Sequence, residues 1–258
     1  MKFVQPRTFL IGYTRIDTTQ LREYLRETDN ESFAQLLVDN TVSPGEVLCS
    51  FYAKLCYKSL SEGKNANITR IRDIEANLHS CFDSGHGSVF EHCSLNFVTT
   101  NCSRVFTHEL VRHRVGTAFS QTSGRYVALD QIDFVHDPIL DDVRGDIEEL
   151  LVLVEQKAKL IREKLNVDGM DFATKKKVTS AIRRIAPNGQ ANEIGWSVNI
   201  RSLRHIIEMR TNKAAEWEIR LVFNQVAEIV ERKFPGMLYG SEVVDTGDGL
   251  REYRRLRI

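Results

Sequence analysis

The chain has 258 residues, 42% of them apolar and 27% charged, a composition ordinary for a water-soluble globular protein of one large domain or two small ones. Lysine plus arginine equals aspartate plus glutamate at 35 each, so no bulk basicity points to nucleic acid or a membrane surface. The five cysteines (Cys49, Cys56, Cys81, Cys93 and Cys102) are odd in number and form no CxxC pair, which fits a reduced, cytoplasmic protein better than a disulfide framework. At the start, MKFVQPRTFLIG carries Gln5, Pro6 and Arg7 where a signal peptide needs an apolar core. No apolar run approaches the roughly 20 residues that cross a bilayer. FLIGYT (Phe9–Thr14) reads as a strand, and helical patterns follow around Gln20–Arg26 and Ser32–Asp39. SPGE at Ser43–Glu46 is a helix start, with a hydroxyl N-cap, proline at N1 and glutamate at N3. A further helix is expected from about Thr69 to Ser84, closed by Gly85. CSLNFVTT (Cys93–Thr100) alternates as a half-buried strand does, and Asn101–Ser103 opens a helix that ends near Arg112. RYVALDQIDFV is strand-like. Asp137 and Pro138 start a long helix to about Leu165, and a basic helix runs from Phe172 to Pro187. ANEIGWSVN is a strand, and helices at Arg201–Met209 and Ala214–Phe234 close the pattern. Helices gathered around a few antiparallel strands predict an α+β fold, with residues 1–258 forming a single domain.

Three clusters carry chemistry. RHRVGTAFSQTSGRY (Arg112–Tyr126) packs Arg112, His113, Arg114 and Arg125 into fifteen residues without one acid. Alone, the RHR triplet fits a cationic helix end facing water, offset by the helix dipole and by Glu109 three and four residues earlier. With Ser120, Thr122, Ser123 and Gly124 it fits an anion site, because arginine forks match phosphate oxygens and glycine lets the backbone approach. HGSVFEH (His86–His92) is a polar turn before a strand. Its histidines and cysteines, with His79 and Cys81, match no standard zinc spacing, so no metal is expected. NIRSLRHIIEMR (Asn199–Arg210) places Arg201 and His205 on one helix face. Arg210, nine residues beyond Arg201 and about 100° per residue, points the other way. Two ligands, or two copies of one site, would suit that arrangement. Leu203, Ile206 and Ile207 are the core stripe of the same helix, and Trp217 is expected in core or interface.

In this order the three clusters resemble the flavin-dependent thymidylate synthase family. The matching stretches are SGHGSVFEH, RHRVGTAFSQTSGRY and RRIAPNGQANEIGWSVNIRSLRHIIEMRTNKAAEWEI, covering roughly residues 68–235, and their joint occurrence is far more specific than any one of them. The resemblance implies a homotetramer with FAD at each subunit interface. It implies conversion of dUMP to dTMP, with methylenetetrahydrofolate giving the one-carbon unit and NADPH reducing the flavin. It implies that His86, Ser88 and Glu91 lie on the flavin-side loop, that Arg112, His113 and Arg114 bind flavin, and that Asn199 and Arg201 add flavin contacts on a neighbouring subunit, with His205 where the family often has asparagine or histidine. Ser123, Gly124 and Arg125 match the loop that holds the nucleotide phosphate, and Arg183 and Arg210 match further nucleotide contacts. Arg210 would sit against the pyrimidine, where it could stabilise charge on a carbonyl oxygen, and with Ser123 it is the candidate catalytic residue. Ser123 has no histidine or lysine base fixed beside it in sequence, so it reads as a binder rather than a nucleophile. Hydride from the flavin leaves no need for a protein thiolate.

The chain departs from the family pattern around the ligands. Eight residues, Val115 to Thr122, separate Arg114 from Ser123 where the family has seven. The family's loop glutamate becomes Gln121, its glutamine before the triplet becomes Glu109, and a flavin-side histidine becomes Ala214. One acid and one amide have exchanged places, and both stand among the candidate substrate contacts. UMP, beside or instead of dUMP, is therefore the alternative substrate. A flavin-binding homologue without methylation, or a nucleic-acid contact at the RHR cluster, is the alternative of another class. A neutral charge balance and no aromatic–basic interleaving speak against nucleic acid.

Overall fold

The computed structural model describes residues 2–38, 42–123 and 133–256. Its strands are β1 (Lys2–Val4), β2 (Arg7–Tyr13), β3 (Ser94–Cys102), β4 (Thr117–Gln121), β5 (Asp133–Val135), β6 (Asn192–Asn199), β7 (Glu242–Asp245) and β8 (Arg251–Arg254). The main sheet has the order β2-β3-β6-β4, with every neighbouring pair antiparallel. β1 and β5 pair in parallel beside it, and β7 and β8 form a hairpin. The helices are α1 (Thr18–Glu27), α2 (Glu31–Leu36), α3 (Pro44–Cys56), α4 (Ile74–Asp83), α5 (Arg104–Leu110), α6 (Arg144–Lys164), α7 (Phe172–Ile182), α8 (Ile200–Thr211) and α9 (Trp217–Lys233). This is the expected α+β arrangement, an antiparallel sheet flanked by helices. No helix among the described residues is long and apolar enough to cross a membrane.

Strand alternation sets the core. Leu95, Phe97 and Thr99 of β3 and Ile194, Trp196 and Val198 of β6 point to one face and are buried. α8 and α9 cover that face with Ile206, Ile207, Val222, Phe223 and Val226. Trp196 stacks on Phe97 with ring centroids 4.6 Å apart, and its indole N–H donates to Thr99 Oγ1 at 3.2 Å. Side chains of this size each stabilise the fold by about 1.5–3 kcal/mol when buried. The core stripe expected on α8 is present: Leu203, Ile206 and Ile207 are all buried.

Local capping explains most helix starts. Ser43 accepts from Glu46 N while Glu46 Oε2 accepts from Ser43 N, the reciprocal box expected from SPGE. α4 starts at Ile74 rather than near Thr69, because the Asp73 carboxylate accepts from Ala76 N at 2.7 Å and fixes the start there. The long helix expected from Asp137 splits into a 3-10 segment (Pro138–Val143) and α6. The basic helix stops at Ile182, with one 3-10 turn before Pro187. α9 begins at Trp217, three residues later than expected, where Glu216 caps it. Of the strand-like run RYVALDQIDFV, residues 133–135 form β5, and residues 124–132 lie outside the described residues. β1, β4 and the β7–β8 hairpin are additions to the expected elements. β4 is the informative one, because it converts part of the supposed phosphate loop into an edge strand.

Candidate active site

The site is assembled by α8 and the segment that follows α5. β6 ends at Asn199, whose side chain turns back to accept from Ser202 N at 2.9 Å and so caps α8. Asn199 N also donates to the carbonyl of Gly116 at 3.0 Å. Gly116 has φ of +66°, and a Cβ there would stand 2.2 Å from Asn199 Nδ2. Only glycine lets the chain after Arg114 pass this close to the start of α8. That contact lays Arg112, His113 and Arg114 along the helix carrying Arg201 and His205. Together with Glu91 and Ser202 they line a cavity of about 570 Å³, with Val115 and Ile206 as its apolar part.

Arg201 Nη1 donates to Glu91 Oε1 at 2.6 Å, and both groups are about half exposed. An ion pair in that setting contributes little to stability and is readily exchanged for another anion. A second cavity, of about 360 Å³, shares Arg201 and is lined by His86, Ser88 and Cys56. Gly87 makes room here: a Cβ on it would lie 2.9 Å from Arg201 Nε. The other histidines of this region are engaged elsewhere. His92 stacks on Tyr52 with centroids 3.8 Å apart, and His79 stacks on Tyr239 at 3.7 Å.

Arg210 sits on another side of α8 from Arg201, as the helical spacing predicts, and it reaches back to the RHR segment. Its Nη1 donates to Glu109 Oε2 at 2.5 Å and its Nε donates to His113 Nε2 at 2.8 Å. Glu109 therefore pairs across 101 residues with Arg210, instead of locally with Arg112 or His113. His113 is pushed down from 6.5 to about 4, first by burial, then by the charges of Arg210, His205 and Arg112. At neutral pH it is an uncharged ring that accepts at Nε2 and carries its proton on Nδ1. The triplet thus presents two cations rather than three. Arg210, with Ala214, also lines an open cleft of about 730 Å³ against the β7–β8 hairpin.

Arg183 opens a different cavity, of about 390 Å³, lined also by Arg104, His108, Arg184 and Thr122. Arg104 and His108 lie one turn apart on α5. The Arg104 guanidinium is lowered from its usual range by burial and by the neighbouring Arg183 charge. Ser123 follows Thr122, whose N–H donates to Glu193 O at 2.9 Å and ends the β4–β6 pairing. Gly124 and Arg125 lie outside the described residues. Gln121 belongs to β4 rather than to a loop, and its Nε2 donates to Thr107 Oγ1 at 3.0 Å.

The fold thus brings His86, Ser88, Glu91, Arg112, His113, Arg114, Arg201 and His205 into two adjoining cavities. It sets Glu109 and Arg210 on the far side of His113, and it puts Arg183 near the end of β4. Asn199 acts as a helix cap and a seat for Gly116. Sequence reasoning did not single out Arg104 and His108; their i, i+4 spacing on α5 was the available signal. Nor did it single out Arg204, an arginine of the same helix as Arg201 and Arg210. Arg204 is buried and donates to the carbonyls of Met237, Tyr239 and Leu256, so it binds the C-terminal segments to α8.

Comparison with known proteins bears on this geometry. The family model described as thymidylate synthase complementing protein matches residues 36–236. The flavin-dependent thymidylate synthase of Clostridium tetani is 30% identical over 209 residues, covering 78% of this chain and 83% of the relative. That of Mycolicibacterium gilvum is 31% identical over 219 residues, covering 80% and 83%. Among solved structures, Thymidylate Synthase X from Helicobacter pylori with FAD and dUMP superposes with a TM-score of 0.56 at 17% identity, covering 91% of this chain and 99% of that one. The structural likeness speaks for the fold, while the family match and the sequence relatives speak for descent. The chain belongs to the flavin-dependent thymidylate synthase family.

Proposed function

We propose that this chain methylates C5 of a pyrimidine nucleotide, dUMP to dTMP, with FAD in the cavity between the RHR segment and α8. The observation that carries the reading is the split along α8. Arg201 faces one pair of cavities, Arg210 faces away, and neutral His113 stands between them. The donor set fits a flavin dinucleotide: Arg112, Arg114 and Arg201 suit a pyrophosphate, and Val115 and Ile206 offer an apolar wall for a ring. When bound, FAD supplies the hydride that completes the methyl group. Methylenetetrahydrofolate is the one-carbon donor and NADPH the reductant in this reading.

The protein's own part is binding and electrostatics. Arg104, Arg183, Ser123, Gly124 and Arg125 are assigned to the nucleotide phosphate, and the cationic lining around Arg183 supports that assignment. Arg210 is assigned to a uracil carbonyl, where a fixed guanidinium stabilises negative charge as C5 becomes nucleophilic. Glu109 and His113 hold that guanidinium without competing protons, because His113 is uncharged at neutral pH. No cysteine is needed as nucleophile. Cys49, Cys81, Cys93 and Cys102 are buried, and burial pushes Cys102 up to about 12. The working form is read as a cytoplasmic homotetramer. Leu150, Leu153, Leu160 and Ile161 of α6 are exposed, and they are surface that a neighbouring subunit would cover.

Purified protein should be yellow or take up added FAD. With methylenetetrahydrofolate and deuterated NADPH it should convert dUMP to labelled dTMP. UMP belongs in the same assay, because Gln121 and Glu109, which this reading assigns to the nucleotide, depart from the family pattern. Better turnover of UMP would replace dUMP as the substrate. A colourless protein that takes up no FAD would overturn the reading.

A further inference from the structure

Beside the His86 cavity lies a cleft of about 290 Å³ between α3, α4 and the segment at residues 67–72. It shares Ala53, Tyr57 and His86 with that cavity, which in turn shares Arg201 with the RHR cavity. The three cavities therefore adjoin in series, from the candidate flavin pocket to the cleft beside α3 and α4. Its far end is lined by Lys54, Arg70 and Arg72, and no carboxylate lines it among the described residues. Asn67, Thr69 and Ser80 add hydrogen-bonding groups.

The cleft is built rather than incidental. Leu60 is buried in the core and anchors the segment at its near end. Lys54 Nζ donates to the carbonyl of Arg72 at 2.6 Å and pins its far end. Arg72 Nη1 donates to Ser80 Oγ at 2.6 Å, which turns its guanidinium toward α4. Burial lowers the Lys54 ammonium to about 8, with Asp73 and Arg72 acting in opposite senses, so Lys54 remains cationic at neutral pH. Arg70 is exposed, with its guanidinium at the rim.

We infer that this cationic arm binds the anionic tail of a co-substrate whose reacting end lies in the flavin pocket beside His86. The inference rests on the methylase reading above and extends it to the second substrate. The chemistry recognised is a flexible chain of carboxylates or a terminal phosphate, since guanidinium and ammonium groups attract either. Two co-substrates carry such a tail: a folate bearing several γ-linked glutamates, and NADPH with its 2′-phosphate. A cationic cleft away from the reacting atoms lowers KM without changing kcat, because it binds ground state and transition state alike.

The test is the double variant Arg70→Ala with Arg72→Ala in FAD-loaded full-length protein. It leaves Lys54 and the backbone carbonyl of Arg72 in place. Wild type should bind pentaglutamyl tetrahydrofolate about ten-fold more tightly than the monoglutamyl form, or NADPH about ten-fold more tightly than NADH. The variant should lose that preference while the dUMP KM and kcat stay unchanged. Loss of the glutamate preference identifies a folate tail, and loss of the NADPH preference identifies the phosphate. Wild type with neither preference, or a variant that keeps both, overturns the inference. Equilibrium titration reads these ratios without turnover. A failure to make dTMP would therefore sink the methylase reading separately from the arm.

Discussion

Arg210 is held by two acceptors of different kind, the Glu109 carboxylate and the neutral His113 ring. Gln121 bonds Thr107, which lies two residues from Glu109 on α5. The acid that departs from the family pattern thus touches Arg210 directly, while the amide meets α5 through Thr107, on another side of that helix. Gln121→Glu would set a carboxylate against the Thr107 hydroxyl on α5, and Glu109→Gln would remove the counter-charge of Arg210. Each single change is expected to lower kcat/KM about ten-fold, equivalent to ~1.4 kcal/mol. The double exchange keeps one acid and one amide, so it should recover most of the loss. Steady-state kinetics on all four proteins gives the coupling, and strictly additive losses would show that the two positions act independently. The identities of these residues are legible in the sequence, because the triplet, Ser123 and Arg210 sit in recognisable stretches. Their pairing is not. Helical spacing relates Glu109 only to Arg112 and His113, and a partner 101 residues away enters only when α8 packs beside α5. The loss of charge on His113 has the same origin, since burial and the Arg210 charge both come from the tertiary fold.

At the scale of elements, the starts of α3 and α7 follow from capping residues, and those are what a sequence shows best. β4 is harder to see. It is a five-residue edge strand with half-exposed polar positions, and among the described residues its strand partner is β6, more than seventy residues on. α5 illustrates how such a short element is held. Ser103 caps it, and Glu218 of α9 receives both Ser103 N at 2.7 Å and the Ser103 hydroxyl. Burial raises the Glu218 carboxyl to about 7, with the Ser103 hydrogen bonds opposing the rise. A carboxyl raised in the folded state binds its proton more tightly there than in the unfolded chain. Its stabilising effect is full below about pH 4.5 and is lost as pH rises toward 7. The loss is on the order of 3 kcal/mol. Glu218→Gln keeps an acceptor for Ser103 N and a donor for Ser103 Oγ but cannot ionise. Urea unfolding at pH 5 and pH 8 should show wild type losing more stability with rising pH than the variant. An identical pH dependence in both would show that Glu218 does not titrate in this range.

Across the whole molecule, α8 is the strut that relates the parts. Its start is capped at the end of β6, its middle is core, and buried Arg204 ties it to the C-terminal segments. The strand order β2-β3-β6-β4 places the RHR segment beside α8 through pairing between distant strands, which no local pattern encodes. The opposed directions of Arg201 and Arg210 do follow from the sequence, because one helix carries both. If these directions separate a flavin from a nucleotide, each ligand should stabilise the fold through its own arginine. A ligand at a hundred times its Kd adds about 2.7 kcal/mol, which for a chain of this size raises Tm by about 5–10 °C. Arg201→Ala should abolish most of the rise given by FAD and leave that given by dUMP bound to FAD-free protein. Arg210→Ala should do the reverse. Thermal unfolding of the three proteins with each ligand alone measures all six shifts. Loss of both shifts in both variants would mean that the two arginines serve one merged site, and the division along α8 would have to be abandoned.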